Sequence, residues 1–529
     1  MLRLRLSIHR GVDRRTGQPS TFAFMTPLRA TRREWTGLAV IALPCLVYAM
    51  DMTVLNLAVP AISAELSPSS AQLLWIIDIY GFLVAGFLIT MGTLGDRIGR
   101  RKLLLIGAAA FAAASVVAAF AHSVATLIAM RALLGIAGAT LAPSTLSLIR
   151  NMFHDDQQRQ FAIGVWIASF SLGGVIGPLV GGVVLQLFDW RAIFLVAVPV
   201  MLLLLVLGPK LLPEYKDPNA VHIDAASVLM SISAVLASIY GLKQLAEQGA
   251  SIDALAMLAA GLVLAIVFVR RQARLAYPLL DLQLFRRPAF SAAIAAYALS
   301  ALAMFGIYIF ITQYLQGVLG LSPLQAGLAT VPWSAGFLVG SLLAPRLARG
   351  RSVPRIMIGG LAAAALGFLM LGFVDHRFGL QVLIAATVVM SLALAPVFTL
   401  GNEVIITTAP PERTGAASAI SETSAEFSGA LGIALLGSLG SWLYRGRLGT
   451  ALPEGLPPEA LATLGSTLAT AKTLPGPAGD ALDAVARAAF VDSFQSIALI
   501  CAGIVALAAL LAAHILRRPL PLAAAPESP

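Results

Sequence analysis

Residues 92–102 read GTLGDRIGRRK, and their setting decides the fold. Five of the last seven residues, Asp96, Arg97, Arg100, Arg101 and Lys102, are charged, in a chain of 529 residues that is only 12% charged. WIIDIYGFLVAGFLITM leads into the stretch and LLLIGAAAFAAASVVAAFA leads out of it. Both flanks are long and apolar enough to cross a bilayer, so the charged stretch is a short loop between two membrane helices.

The rest of the chain follows the same pattern. It is 58% hydrophobic with a mean hydropathy of +0.87, too apolar to cover itself with a polar shell. Apolar runs predict about fourteen spans, the first six near 36–56, 72–92, 103–121, 125–148, 161–187 and 191–211. Two more follow near 224–245 and 252–270, then six near 289–317, 325–346, 355–374, 380–407, 414–443 and 494–516. The fold class is therefore all-α and polytopic. Cys45 and Cys501 both fall in apolar runs, which leaves no disulfide framework or zinc spacing. HExxH, P-loop, GxSxG and dinucleotide patterns are absent, so the sequence predicts no enzyme, no metal, no cofactor and no ATP drive. The net charge of +10 sits mostly in short loops and reflects topology rather than nucleic-acid binding.

Most of the 36 Lys and Arg fall on one side if the N-terminus is inside, which predicts cytoplasmic termini. The other side receives Arg191, Lys243, Arg377, Arg445, Arg447, Lys472 and Arg487, while Arg131 stays within the membrane. The expected organisation is a leader (1–34), a six-span bundle (35–212), a linker with two spans (213–287), a second six-span bundle (288–516) and a tail (517–529). Within the second bundle, 444–490 is an exterior segment, read as a loop or a short helical hairpin. A faint repeat aligns Arg97, Arg100 and Lys102 with Arg346, Arg349 and Arg351, each set following the second span of a six-span block. Two-fold repeats of this sort place a binding site between the halves.

GTLGDRIGRRK resembles the loop between helices two and three of the major facilitator superfamily, G-x-L-x-D-R-x-G-R-R-K. DMTVLNLAVPAI at 51–62 is similar to the first-helix signature of the fourteen-helix drug:proton antiporter branch. MRALLGIAGA at 130–139 resembles its fourth-helix motif, with Leu134 where glutamine is common, and GGVIGPLVGG at 173–182 its fifth-helix antiporter motif. AISETSAEFSGALGIALLGS at 419–438 resembles the quaternary-ammonium and methyl-viologen exporters. The resemblance implies two six-helix bundles plus two inserted helices, in a bacterial plasma membrane. It also implies a gate loop (Gly92, Gly95, Asp96, Arg97, Gly99, Arg100, Arg101) that latches the outward-open state, with Asp96 placed to pair with a nearby Arg and to accept from a helix N-terminus across the halves. Plain positive-inside anchoring explains the cations of this loop but not Asp96.

Ionisable groups at bilayer depth are functional candidates because burying them is costly. Asp51 and Arg131 fall at similar depths on the first and fourth spans, so a pair is expected, either coupled to protonation or static. Asp78 falls near the outer end of its span, where water can reach it, and Glu403 near the cytoplasmic end of the twelfth. Glu422 and Glu426 lie about 12 and 18 Å into the thirteenth span and share a face at i, i+4. Two acids so close cannot both ionise cheaply and so suit proton or cation exchange; the plainer alternative is a polar packing contact. Gly173, Gly177, Pro178, Gly181 and Gly182 predict tight packing and a bend in the fifth span. Tyr48, Phe305, Tyr308 and Trp333 are candidate walls for a lipophilic cation. Trp35, Trp75, Trp190 and Trp442 read as interface anchors.

The sequence thus predicts a monomeric, proton-gradient-driven exporter of lipophilic or quaternary organic cations, working by alternating access among membrane lipids. The alternative is an exporter of a neutral or anionic metabolite or antibiotic.

Overall fold

The computed structural model describes residues 4–12, 19–27, 29–216, 224–249, 251–275, 278–349, 351–375, 379–409, 414–448, 461–474 and 477–516. Arg377, Arg413 and the tail from 517 lie outside the described residues. A two-stranded antiparallel hairpin, β1 (Leu4–Val12) and β2 (Pro19–Pro27), precedes the helices and was not anticipated from the leader sequence. Among the described residues, fourteen helical segments are long and apolar enough to cross a membrane.

The first bundle runs α1 (Arg32–Leu66), α2 (Ser70–Ile98), α3 (Arg100–Ala119), α4 (Val124–Gly138) continued by α5 (Leu141–Met152), α6 (Asp156–Leu187), and α7 (Ala192–Leu195) continued by α8 (Ala197–Leu211). Next come the inserted pair, α9 (Ala225–Gln248) and α10 (Ile252–Gln272). The second bundle is α11 (Pro288–Gln313), α12 (Pro323–Ala348), α13 (Val353–Leu371), α14 (Gly379–Thr408), α15 (Thr414–Leu448), a short α16 (Leu464–Ala471) and α17 (Pro477–Leu516). Helices satisfy their own backbone groups, as a bilayer core requires. The end bearing loop 92–102 is called here the basic end, and the opposite one the far end.

Caps show the repeat more clearly than the charges do. Ser69 caps α2 with Gln72 at the reciprocal position, and Ser322 caps α12 with Gln325 in the same role. Both are capping boxes at the far end of the second span of a six-span block.

The two halves meet along two seams, α2 against α15 and α6 against α12. Several contacts across them lie toward the far end. Gln316 Nε2 donates to Leu57 O at 3.0 Å, and Ser70 Oγ to Ala462 O at 2.6 Å. A Cβ at Gly327 would run into the Pro178 carbonyl oxygen, so this approach of α12 to α6 requires glycine. A cavity of about 380 Å³, lined by Leu57, Glu65, Trp190, Gln316 and Pro323 among others, lies at the far end.

Three expectations need revision. The fourth span breaks at Ala139–Thr140, because Pro143 has no N–H for the helical ladder and its ring opposes the carbonyl four residues back. The last span begins at Pro477 rather than 494, so the segment expected outside shrinks to the stretch around α16. Charges hid that helix: Asp483 pairs with Arg487 one turn on, and Arg487 also donates to the carbonyls of Gly317 (2.6 Å) and Val318 (2.8 Å). Third, Lys243 is not on the exterior but buried.

At the basic end, Arg271 forks onto both oxygens of Asp224 (2.8 and 2.9 Å) and ties the feet of α9 and α10 together. Those bonds hold the Asp224 carboxyl down at about 2. A lowered carboxylate pKa gives stability that is present above the unfolded value of about 3.9 and lost only as pH falls through about 2. This tie is therefore expected to leave the unfolding midpoint of detergent-solubilised Asp224→Asn shifted equally at pH 5 and pH 9.

Candidate functional site

Asp51 on α1 and Arg131 on α4 form a salt bridge at 2.7 Å, with side-chain exposures of 16% and 2%. Arg131 Nε donates to Ile76 O on α2 at 3.2 Å, and its guanidinium stands 4.5 Å from the Tyr80 ring centroid. One arginine thus joins three helices. Gly138 on α4 leaves room for both Tyr80 and Tyr48, whose rings lie 6.0 Å apart.

From Tyr48 the polar chain crosses to the other half. Its hydroxyl donates to Glu426 Oε1 on α15 at 3.0 Å. Glu422, one turn nearer the basic end, is exposed, and Tyr297 on α11 lies in the field of both glutamates. Ser421 donates to Asn402 on α14 at 2.8 Å, and the Tyr297 ring meets Phe398 edge-on at 4.8 Å. Among the described residues no basic side chain pairs with Glu422 or Glu426. That separates them from two other acids within the spans: Asp51 has Arg131 as its counter-ion, and Asp78 has Lys243.

The Asp78–Lys243 pair corrects the reading of Asp78 as a wetted residue. Asp78 is 1% exposed and holds Lys243 of α9 at 3.0 Å. Trp75 is likewise no free interface anchor, since the Lys243 ammonium sits 4.0 Å from its ring centroid. Glu403 is exposed near the basic end of α14, and its backbone carbonyl accepts from Thr407. It stands next to Asn402 in sequence, but the structure does not bring its carboxylate to the glutamate pair.

Aromatic candidates divide. Tyr48 is in the site, packed edge-on against Phe170 at 5.8 Å, with Trp166 beyond it at 4.8 Å. Phe305 covers Gly429 on the helix that bears Glu426. Tyr308 and Trp333 stack edge-on at 5.0 Å one turn further toward the far end. Tyr297, Tyr80, Trp166 and Phe170 were missed from sequence. Single aromatics within apolar runs look like core, and only the fold reveals which share a wall.

In the charged loop, Asp96 Oδ1 takes a 2.8 Å hydrogen bond from Arg100 Nε, and Arg100 Nη1 donates to Pro143 O. The expected pairing of Asp96 with a nearby arginine is made, by Arg100 one turn on, whereas its expected reach to a helix N-terminus across the halves is not made among the described residues. Glu214, from the segment after α8, covers the N-terminus of α3: its carboxylate accepts from Arg101 N and Lys102 N. Arg101 returns to the carbonyls of Pro209 and Leu212. Gly99, at φ +115°, makes this possible, because a Cβ there would strike Glu214 Oε1. Gly95 leaves space for the Arg100 side chain, Gly92 has only ordinary contact with Pro143, and Arg97 is exposed. Gly99→Ala is expected to cost about 1–3 kcal/mol through a backbone region closed to side chains, read as a lowered unfolding midpoint.

The glycines of α6 divide between two neighbours. Cβ atoms at Gly173 and Gly177 would run into the Leu46 carbonyl oxygen and Thr53 Oγ1 of α1, while one at Gly181 would stand 3.2 Å from Val54. Gly182 faces the other half, where an added Cβ would come within 2.8 Å of Leu324 Cα, and Pro178 bends the helix beside Gly327. Gly182→Val is therefore expected to prevent far-end closure. A cysteine at Ser334, within the seam at 3.5 Å from Gly174 O, should then be labelled roughly fivefold faster from the far side, a rise that the close backbone approach at Gly182 predicts.

Comparison with known proteins agrees with this geometry. Residues 41–433 match the family model for the Major Facilitator Superfamily. The chain is 43% identical to the multidrug efflux pump LfrA of Mycolicibacterium smegmatis, covering 95% of this chain and 99% of that one. It is 33% identical to the methyl viologen resistance protein SmvA of Salmonella typhimurium (89% and 96% covered). With the tetracenomycin C resistance and export protein of Streptomyces glaucescens it shares 31% (96% of each). Among solved structures, a bacterial homologue of the human lysosomal transporter Spinster superposes with a TM-score of 0.68 at 17% identity, covering 93% of this chain and 100% of that one. A peptide transporter, POT, gives 0.62 at 18% (91% and 95% covered). The chain is a multi-pass membrane transporter of the Major Facilitator Superfamily, from its drug-efflux branch.

Proposed function

We propose that this protein exports lipophilic organic cations in exchange for protons, with Glu422 and Glu426 as the carboxylates that bind one or the other. The observation that carries the reading is the unneutralised acid pair at the junction of the halves, with Glu426 held by Tyr48 of the opposite half. A fixed counter-ion would compete with both proton and cargo; these two glutamates have none among the described residues. The aromatic surfaces of Tyr48, Phe170, Tyr297 and Phe398 supply ring faces for a cation. Asp51 and Arg131 form the static floor of the site, and Tyr48 links floor to carboxylate.

The cycle follows from the seams. Far-end contacts are made, and the loop bonds of Asp96, Arg100 and Arg101 stay within one half, so we take this to be the state open at the basic end. With that end cytoplasmic, in a bacterial plasma membrane, cargo enters from the cytoplasm or inner leaflet and meets deprotonated acids. The halves then rock, and exterior protons displace the cargo. One charge crossing 100 mV is worth about 2.3 kcal/mol, so two protons against one monovalent cation would also draw on voltage. No cofactor enters this scheme, and one chain contains both halves of the site.

Inverted membrane vesicles with an imposed pH gradient test the proposal. Ethidium should release the stored gradient in wild type. Silence across a broad panel of cations would reject it. The likeness to a tetracenomycin export protein favours a second reading, a neutral or anionic antibiotic as cargo, which such a panel would leave silent while that class of compound released the gradient.

A further inference from the structure

The inserted helix α9 lies over the α2/α15 seam and touches both halves, but by different chemistry. Toward α2 the contact is polar and keyed. Lys243 meets Asp78 at 3.0 Å with side-chain exposures of 1% and 0%, under the ring of Trp75. One face further on, Ile232 fills the space at Gly86, where a Cβ would come within 2.9 Å of it. Toward α15 no ion pair is made among the described residues: Ile239 joins Ala430 and Ala434 in a small apolar cluster that Phe82 of α2 completes. Packing there is incomplete: a cavity of about 10 Å³ is lined by Lys243 and by Ser438, Ser441 and Arg445 of α15, and the buried Ser438 hydroxyl has no partner among the described residues.

A buried ion pair cannot slide, because separating it strands two charges in a low dielectric. An apolar face can, since no directional bond must be exchanged along it. Opening at the far end must part α2 from α15, so α9 has to stay with one of them. We propose that α9 and α10 travel with the N-terminal half as one body, that Lys243 is the positioning residue that fixes them to it, and that α15 slides past their apolar face. This rests on the alternating-access reading above; no contact with cargo is assigned to Lys243.

Two disulfides test it, in a chain with Cys45 and Cys501 replaced by Ala. Gly86→Cys with Ile232→Cys bridges α9 to α2; Ile239→Cys with Ala430→Cys bridges α9 to α15. Oxidising the first should leave ethidium–proton exchange within twofold. Oxidising the second should slow it more than tenfold, reversibly on reduction. The reverse pattern, inhibition by both or inhibition by neither would each overturn the proposal. Spin labels at the exposed far-end positions Val183 and Leu328 read the opening without cargo. If the reduced protein fails to exchange ethidium, the export reading fails, and the label distances still decide the tether. Lys243→Met should lower kcat more than tenfold with the KM for ethidium unchanged, and Lys243→Arg should recover at least half of the rate. A lysine that serves only folding would instead lower the amount of protein and leave kcat alone.

Discussion

Glu426→Gln is expected to abolish proton exchange and slow ethidium export at least a hundredfold. The amide keeps the shape and can still meet the Tyr48 hydroxyl, so the loss comes from charge, not packing. A neutral side chain can neither release a proton when a cation arrives nor attract the cation. Glu422→Gln should do less, because Glu422 is exposed and lacks the tyrosine hydrogen bond that fixes Glu426. Tyr48→Phe removes only that hydrogen bond; a bond to a charged acceptor is worth roughly 1.5–3 kcal/mol, or about ten- to a hundredfold in rate. The order Glu426→Gln, Tyr48→Phe, Glu422→Gln, from worst to mildest, is checked by initial rates of dye export in proteoliposomes with equal protein content.

The second large effect is on stability. Arg131→Met leaves the Asp51 carboxylate without its counter-ion and frees Ile76 O and the face of Tyr80. Removing one partner of a buried pair costs roughly 3–5 kcal/mol. The unfolding midpoint in detergent should fall accordingly, with little protein recovered at 37 °C. Arg131→Lys should not restore it, since one ammonium cannot serve Asp51 and Ile76 O in the geometry of the planar fork. Asp51→Asn with Arg131→Met should recover much of the stability, because the uncompensated charge is gone. Export per folded molecule should recover with it, because the pair is a static floor in this cycle.

Much of this was legible in the sequence, for physical reasons. Apolar runs, loop cations and the GTLGDRIGRRK stretch give the spans and the family because the bilayer imposes length and polarity on every helix. Charged residues within apolar runs stand out for the same reason, so Asp51, Arg131, Glu422 and Glu426 were visible. What stayed hidden were relations across distance. Lys243 sits in GLKQLAEQG at the edge of a run, which reads as a wetted end, and its partner Asp78 lies on another helix. Two unlike charges near the ends of two different spans were the signal available. Glu214 looked like part of a polar linker, although it caps α3 beside Gly99. Helix α17 was cut short because Asp480, Asp483, Arg487 and Asp492 interrupt its apolar run, while the helix itself continues through them.

The central claim, that protons and organic cations compete for the same two carboxylates, can be measured without transport. Purified protein in weakly buffered detergent would be titrated with ethidium while a pH indicator follows proton release. Wild type should release protons in proportion to dye bound, and the Glu422→Gln/Glu426→Gln chain should release none. Proton release that persists in the double variant, or dye binding to wild type with no release at all, would contradict the account.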